Sequence, residues 1–113
     1  MPAALCTFLS IRALEPDLVL NAGTAGGFAS QGGKIGSKYI ANAFQNHDRL
    51  INIAGYKEYG IDKRTENVLV PEVLLREGFE IGTVSTGDSL DCLAPDISHV
   101  SKDRVVAKDM EAA

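Results

Sequence analysis

An α/β fold with a largely parallel or mixed sheet is what this sequence predicts, and three observations predict it. Short apolar or β-branched runs alternate with loops and helical patterns along the chain. One of these runs, Leu18-Val19-Leu20, stops at a glycine-rich turn, the pattern of a central strand buried on both faces. Three predicted strands end in small and polar residues, and ligands of open α/β sheets gather beyond the carboxyl ends of strands. The 113 residues fit one domain at most, and a chain of that length buries roughly two thirds of its unfolded surface, enough for a real core.

Taken in order, Leu5, Phe8, Leu9 and Arg12 follow helical spacing, as in the last turns of a buried helix, and Pro16 marks its exit. Leu18 to Leu20 reads as the first strand, residues 28 to 37 as a loop rich in Gly, Ser and Gln, and Tyr39-Ile40-Ala41 as a second strand. Residues 46 to 65 read as a polar, irregular excursion with one apolar patch, Leu50-Ile51-Asn52-Ile53, at a subunit contact. Pro71 suits a first helical turn, Val73, Leu74 and Leu75 give it an apolar stripe, and Gly78 suits its stop. Ile81 to Ser85 and Arg104 to Lys108 are the remaining strands. The N-terminus resembles the inside of one helix, and Glu111-Ala112-Ala113 resembles the opening of another. The expectation is a chain truncated at both ends, against the alternative of a small domain with frayed ends.

Composition narrows the function. The net charge is -4 and the pI is near 5.0, so a general nucleic-acid binder, which needs a basic surface, is not expected. Apolar residues make up 45% and charged residues 23%, which excludes a disordered polymer. No apolar run approaches the roughly 18 residues of a membrane span. Cys6 and Cys92 match no C-x-x-C spacing and read as free thiols of a reducing cytosol. His47 and His99 lack ligand-spaced partners, so no metal is expected. His47-Asp48 reads as a hydrogen-bonded pair.

Each polar strand end has two readings. In Asn21-Ala22-Gly23-Thr24-Ala25-Gly26-Gly27 the glycines permit close approach of backbone amides to a ligand and Thr24 offers a hydroxyl, or the segment is only a turn. It is neither a G-x-G-x-x-G fingerprint nor a P-loop. Ser85-Thr86-Gly87-Asp88-Ser89-Leu90-Asp91 is either a capped turn or a loop whose main chain reads a ligand edge. Lys108-Asp109-Met110-Glu111 is either an acidic helix start favoured by the macrodipole, or a site where Glu111 accepts hydrogen bonds from a diol over an apolar floor of Met110.

Taken together and in this order, the glycine turn through Phe28, His47-Asp48, Ser85 to Asp91, and Lys108 to Ala113 resemble the 5'-methylthioadenosine (methylthioadenosine/S-adenosylhomocysteine) nucleosidases, most closely the plant-type branch, within the nucleoside phosphorylase superfamily. The resemblance implies a three-layer α/β/α sandwich with a mixed central sheet, of which residues 1–113 are the central portion of a single domain. It implies a cytoplasmic homodimer that needs no cofactor and hydrolyses the N-glycosidic bond of 5'-methylthioadenosine to adenine and 5-methylthioribose in methionine salvage. S-adenosylhomocysteine is a second candidate substrate.

By the same resemblance, Thr24 and Gly26 lie on the ribose and nucleophile side, and main-chain groups of Leu90 and Asp91 contact adenine. Met110 packs on the ribose, Glu111 binds its 2'- and 3'-hydroxyls, and Lys108 and Asp109 belong to the same strand end. Around His47 the family has a region near the dimer contact. Asn42 and Gln45 depart from the more acidic and apolar residues of relatives. Superfamily phosphorylases carry an arginine where this chain has Asn21, and an amide cannot grip phosphate as a guanidinium does, so water is the expected nucleophile. The family's general base and general acid match no residue of this chain, and losing one such group costs about 10²–10⁴-fold in rate. The chain is therefore expected to be inactive alone. Two other readings are a non-catalytic nucleoside-binding or storage protein of the same fold, and an unrelated α/β nucleotide-binding module.

Overall fold

The computed structural model describes residues 2–49, 51, 53–65, 69–89 and 104–112. Within them the elements are helix α1 (Pro2–Leu14), strand β1 (Gly26–Gly27), a short 3-10 turn (Ala29–Gln31), strand β2 (Tyr39–Asn46), helices α2 (Lys57–Ile61) and α3 (Glu72–Arg76), and strands β3 (Glu80–Thr86) and β4 (Val105–Asp109). The four strands form one sheet in the order β1-β4-β3-β2. β2 pairs with β3 and β3 with β4 in parallel, while β1 pairs with β4 antiparallel. The sheet is mixed, as the sequence predicts.

The strand buried on both faces is β4. Val105, Val106 and Ala107 are all buried, and they have hydrogen-bonded neighbours on each side. Leu18-Val19-Leu20, with the same three-residue apolar pattern, is not a strand, and Leu20 is 83% exposed. The prediction fails there because a run of three apolar residues records hydrophobicity and not neighbours, and no described strand lies alongside it. The predicted first helix exists and ends before Pro16, with Glu15 at φ 45°. It is not buried, since Leu5, Phe8, Leu9 and Leu14 are all exposed. Arg12 lies over the Phe8 ring, 5.8 Å from its centroid, as i and i+4 positions of a helix allow.

β2 runs five residues beyond the predicted Tyr39 to Ala41. Polar Gln45 and Asn46 hide the strand from a hydropathy reading. Ala43, Gln45 and His47 are nevertheless buried in alternation, which is the period of a pleated strand. The other edge of β2 is met by Arg64, whose N–H donates to Phe44 O at 2.8 Å and whose carbonyl accepts from Phe44 N at 2.9 Å. That contact, with α2, gives regular structure to the stretch expected to be irregular. Leu50 and Asn52 of its apolar patch lie outside the described residues.

α3 begins after Pro71 (φ -66°, ψ 127°), and the chain turns out of it through Gly78 at φ 79°, as the sequence predicts. Lys38 Nζ donates to Glu77 O at 2.5 Å and sits 5.2 Å from the centroid of the Phe79 ring. Glu80 N–H then donates to Lys38 O at 2.9 Å, which opens the β2–β3 ladder.

Gly82 of β3 is buried, and a Cβ there would overlap the side chain of Val106 on β4. Gly82→Ala is expected to destabilise the chain by about 1–3 kcal/mol, the usual cost of overpacking, and denaturant unfolding measures it. Val106→Ala in the same chain makes room for the added methyl, so the double substitution is expected to cost less than the sum of the two. A second expectation concerns Asp62. Its carboxyl is held below the ordinary value of 3.8, chiefly by the hydrogen bonds from Arg64, against the opposing effect of burial, with the Arg64 and Arg49 charges adding to the lowering. A carboxyl depressed on folding stabilises above its unfolded value, and that contribution is lost as pH falls through the folded value. Arg64→Ala should return the Asp62 titration midpoint, followed by carboxyl carbon NMR, toward its ordinary value.

Candidate functional site

Parallel pairing puts three carboxyl ends on one edge of the sheet. Asn46 of β2 pairs with Thr86 of β3, and Thr86 pairs with Asp109 of β4. The residues that follow, 47–48, 87–89 and 110–112, therefore emerge side by side. The glycine turn arrives from the far side of β4. Gly26 pairs with Lys108 and Gly27 with Ala107, and Phe28 N–H donates to Val106 O at 3.1 Å. Nearer its start, Asn21 Nδ2 donates to Glu111 O at 3.4 Å.

This arrangement brings together most of the predicted site. Gly26 lies beside Lys108, and Thr24 sits in the turn between Asn21 and Gly26, exposed. Lys108, Asp109 and Met110 are half-buried at the end of β4. Glu111 is exposed; its Oε2 accepts the Met110 N–H at 3.1 Å, and its other oxygen makes no hydrogen bond with the described residues. The predicted helix start takes the form of a bend at 110–111. Asp109 Oδ1 accepts the Ala112 N–H at 3.4 Å across it, the i to i+3 spacing of a helix N-cap. Leu90 and Asp91, the expected adenine contacts, lie outside the described residues, as do Cys92 and His99. Cys6 is an exposed free thiol.

One predicted contact is corrected. His47 and Asp48 do not bond each other; both reach across to the chain leaving β3. His47 is 8% exposed, with Nδ1 3.2 Å from Ser85 Oγ and Nε2 3.2 Å from Ser89 O. Asp48 Oδ2 accepts the Asp88 N–H at 2.5 Å. Both residues lie in the bend that follows β2, with their side chains turned to the chain leaving β3. No local signal pointed to these contacts, since the predicted strand ends at Ala41 and the partners lie some forty residues away. Two further buried polar atoms on this half of the sheet, Gln45 Oε1 and Thr86 Oγ1, have no hydrogen-bond partner among the described residues. Nothing in the local sequence marked either.

Among the described residues no three His, Cys, Asp or Glu side chains gather to hold a metal ion, and no helix is long and apolar enough to cross a membrane.

No family model matches the chain. Individual relatives do. A 5'-methylthioadenosine nucleosidase of Arabidopsis thaliana is 41% identical over 113 residues, which is all of this chain and 42% of the relative. A 5'-methylthioadenosine/S-adenosylhomocysteine nucleosidase of the same plant is 37% identical, again over the whole chain and 44% of the relative. A bacterial enzyme of the latter name, from Exiguobacterium, is 32% identical over 98% of this chain and 53% of its own length. The apo structure of an Arabidopsis thaliana 5'-methylthioadenosine nucleosidase superposes with a TM-score of 0.85 and 40% identity, covering 98% of this chain and 45% of that one. A crystal structure of an MTA/SAH nucleosidase gives 0.86 and 37%, with the same coverage. The chain thus spans less than half the length of its plant relatives. Sequence and fold carry the same resemblance: from end to end this chain is similar to a portion of the 5'-methylthioadenosine nucleosidases, and it has their α/β, nucleoside phosphorylase-like fold.

Proposed function

We propose that residues 1–113 are the central portion of a single nucleoside phosphorylase-like domain and supply the sugar- and purine-binding edge of an N-glycosidic hydrolase. The substrate is 5'-methylthioadenosine and the products are adenine and 5-methylthioribose. The observation that carries this reading is the pairing of Gly26 with Lys108, which sets the glycine turn against the strand end bearing Met110 and Glu111. Cleavage of an N-glycosidic bond builds positive charge on the ribose. A carboxylate hydrogen-bonded to the ribose hydroxyls stabilises that charge more in the transition state than in the ground state. Glu111, with one oxygen held by the Met110 amide and the other uncommitted among the described residues, has the chemistry for this. Thr24 and Gly26 flank the sugar, Met110 gives it an apolar floor, and Lys108 and Asp109 complete the strand end. Leu90 and Asp91 are assigned to the base by resemblance alone.

Water is the proposed nucleophile. At Asn21 a neutral amide donates to the Glu111 carbonyl, where a phosphorylase of the superfamily has a guanidinium. A homodimer, a cytosolic setting and a place in methionine salvage belong to the same proposal and rest on the resemblance.

Binding of 5'-methylthioadenosine to the 113-residue chain, followed by calorimetry, tests this. Glu111→Ala is expected to weaken binding about tenfold, the loss of a charge-assisted hydrogen bond. Adenine release by the chain alone is expected to stay at background, since none of its residues matches the family's acid or base. Equal affinity of the Glu111→Ala variant would remove Glu111 from the site. Phosphate-dependent cleavage by a relative carrying asparagine at this position would overturn the choice of water.

A further inference from the structure

From the contacts across the ends of β2 and β3, we infer that His47 and Asp48 act as a two-residue clamp that sets the path of the turn 87–89, and are thereby positioning residues for purine recognition. The inference rests on the nucleoside-binding reading above, in which that turn leads into Leu90 and Asp91.

The geometry assigns a separate task to each residue. Asp48 Oδ2 takes the Asp88 N–H, and His47 holds the next residue through Ser89 O. The His47 N–H donates to Thr86 O at 3.1 Å, so the backbone just before the turn is held as well. The tautomer of the neutral ring follows from its partners. A carbonyl only accepts, so Nε2 carries the proton that goes to Ser89 O. In the neutral ring Nδ1 is then an acceptor, and the Ser85 hydroxyl donates to it. Ser85 sits within β3 and is buried, so the ring is oriented from the sheet before it reaches the turn.

Gly87 completes the device. A Cβ there would come within 2.5 to 2.6 Å of the Asp48 carboxylate atoms. Any larger residue must displace the carboxylate that holds Asp88. The turn after β3 is therefore held at Asp88 and Ser89 by the two residues that follow β2, with Thr86 held just before it and a glycine where the clamp closes. Main-chain groups that read a base edge are useful only when held still, because their hydrogen bonds are lost with small displacements.

The test uses amide hydrogen exchange of the 113-residue chain, with titrations of adenine and of 5-methylthioribose. Asp48→Ala, His47→Leu and Gly87→Ala should each speed exchange at Asp88 and Ser89 and raise the adenine Kd about tenfold, while the 5-methylthioribose Kd moves less than about twofold. Asp48→Asn keeps an acceptor and His47→Gln keeps a donor near the Nε2 position, so both should stay near the unaltered chain. Gly87→Ala should add little to Asp48→Ala, because the carboxylate that it displaces is already gone. Unchanged exchange at 88–89 overturns the clamp. Faster exchange with unchanged adenine affinity, or equal weakening of both ligands, overturns the positioning role. If the unaltered chain fails to bind adenine, the nucleoside reading falls and the positioning role with it, while the exchange data still decide whether the clamp exists.

Discussion

Parallel pairing of three strands constrains everything on the functional edge. Because β2, β3 and β4 run the same way, with Asn46, Thr86 and Asp109 in register, whatever follows each of them leaves the sheet at the same end. No side-chain contact is needed to bring 47–48, 87–89 and 110–112 together; the backbone ladder does it. β1 has a different role. Only two residues long, it pairs antiparallel with β4, and so the glycine turn runs beside Lys108. Its neighbours along the sheet edge are main-chain groups, which suits a segment whose side chains are mostly hydrogen or methyl.

How far this was legible in the sequence depended on whether a residue's environment is set locally. α3, β3 and β4 were readable within a residue or two because proline, glycine and β-branched residues act through their own backbones. Leu18 to Leu20 and Val105 to Ala107 look alike as strings. They differ in having neighbours, which is a property of the sheet. β2 was half missed for the converse reason: Gln45 is polar yet buried beside Ser85, and a hydropathy reading ends the strand before it. At the site, the strand ends were found from composition and the association of Gly26 with Lys108 came with the fold. The contacts of His47 and Asp48 with residues some forty positions away could not come from local pattern at all.

The carboxyl half of the sheet is unusually polar for an interior. Gln45, Thr83, Ser85, Thr86 and His47 are all buried. Burying such groups costs free energy unless each finds a partner, and cores built for stability alone use aliphatic residues instead. Ser85 and His47 satisfy each other. Gln45 Oε1 and Thr86 Oγ1 find no partner among the described residues. The amino-terminal half of β4, by contrast, is Val105 and Val106. Apart from Thr83, which pairs with Val105, the buried polar residues lie toward the end of the sheet where the glycine turn, the clamp and Glu111 meet.

Charge placement at that end separates the two chemistries open to the fold. A phosphorolytic site must hold an anion, and the effective holder is a guanidinium with its fixed fork of donors. Asn21 is neutral, and its Nδ2 is engaged with the Glu111 carbonyl. That contact ties the start of the glycine turn to the strand end without placing positive charge beside the Glu111 carboxylate. A guanidinium at the same position would lie close to Glu111 and offset the negative field that a cationic ribose requires, unless an anion were bound to balance it. In the proposed site, the neutral amide at Asn21 thus favours water over phosphate as the nucleophile.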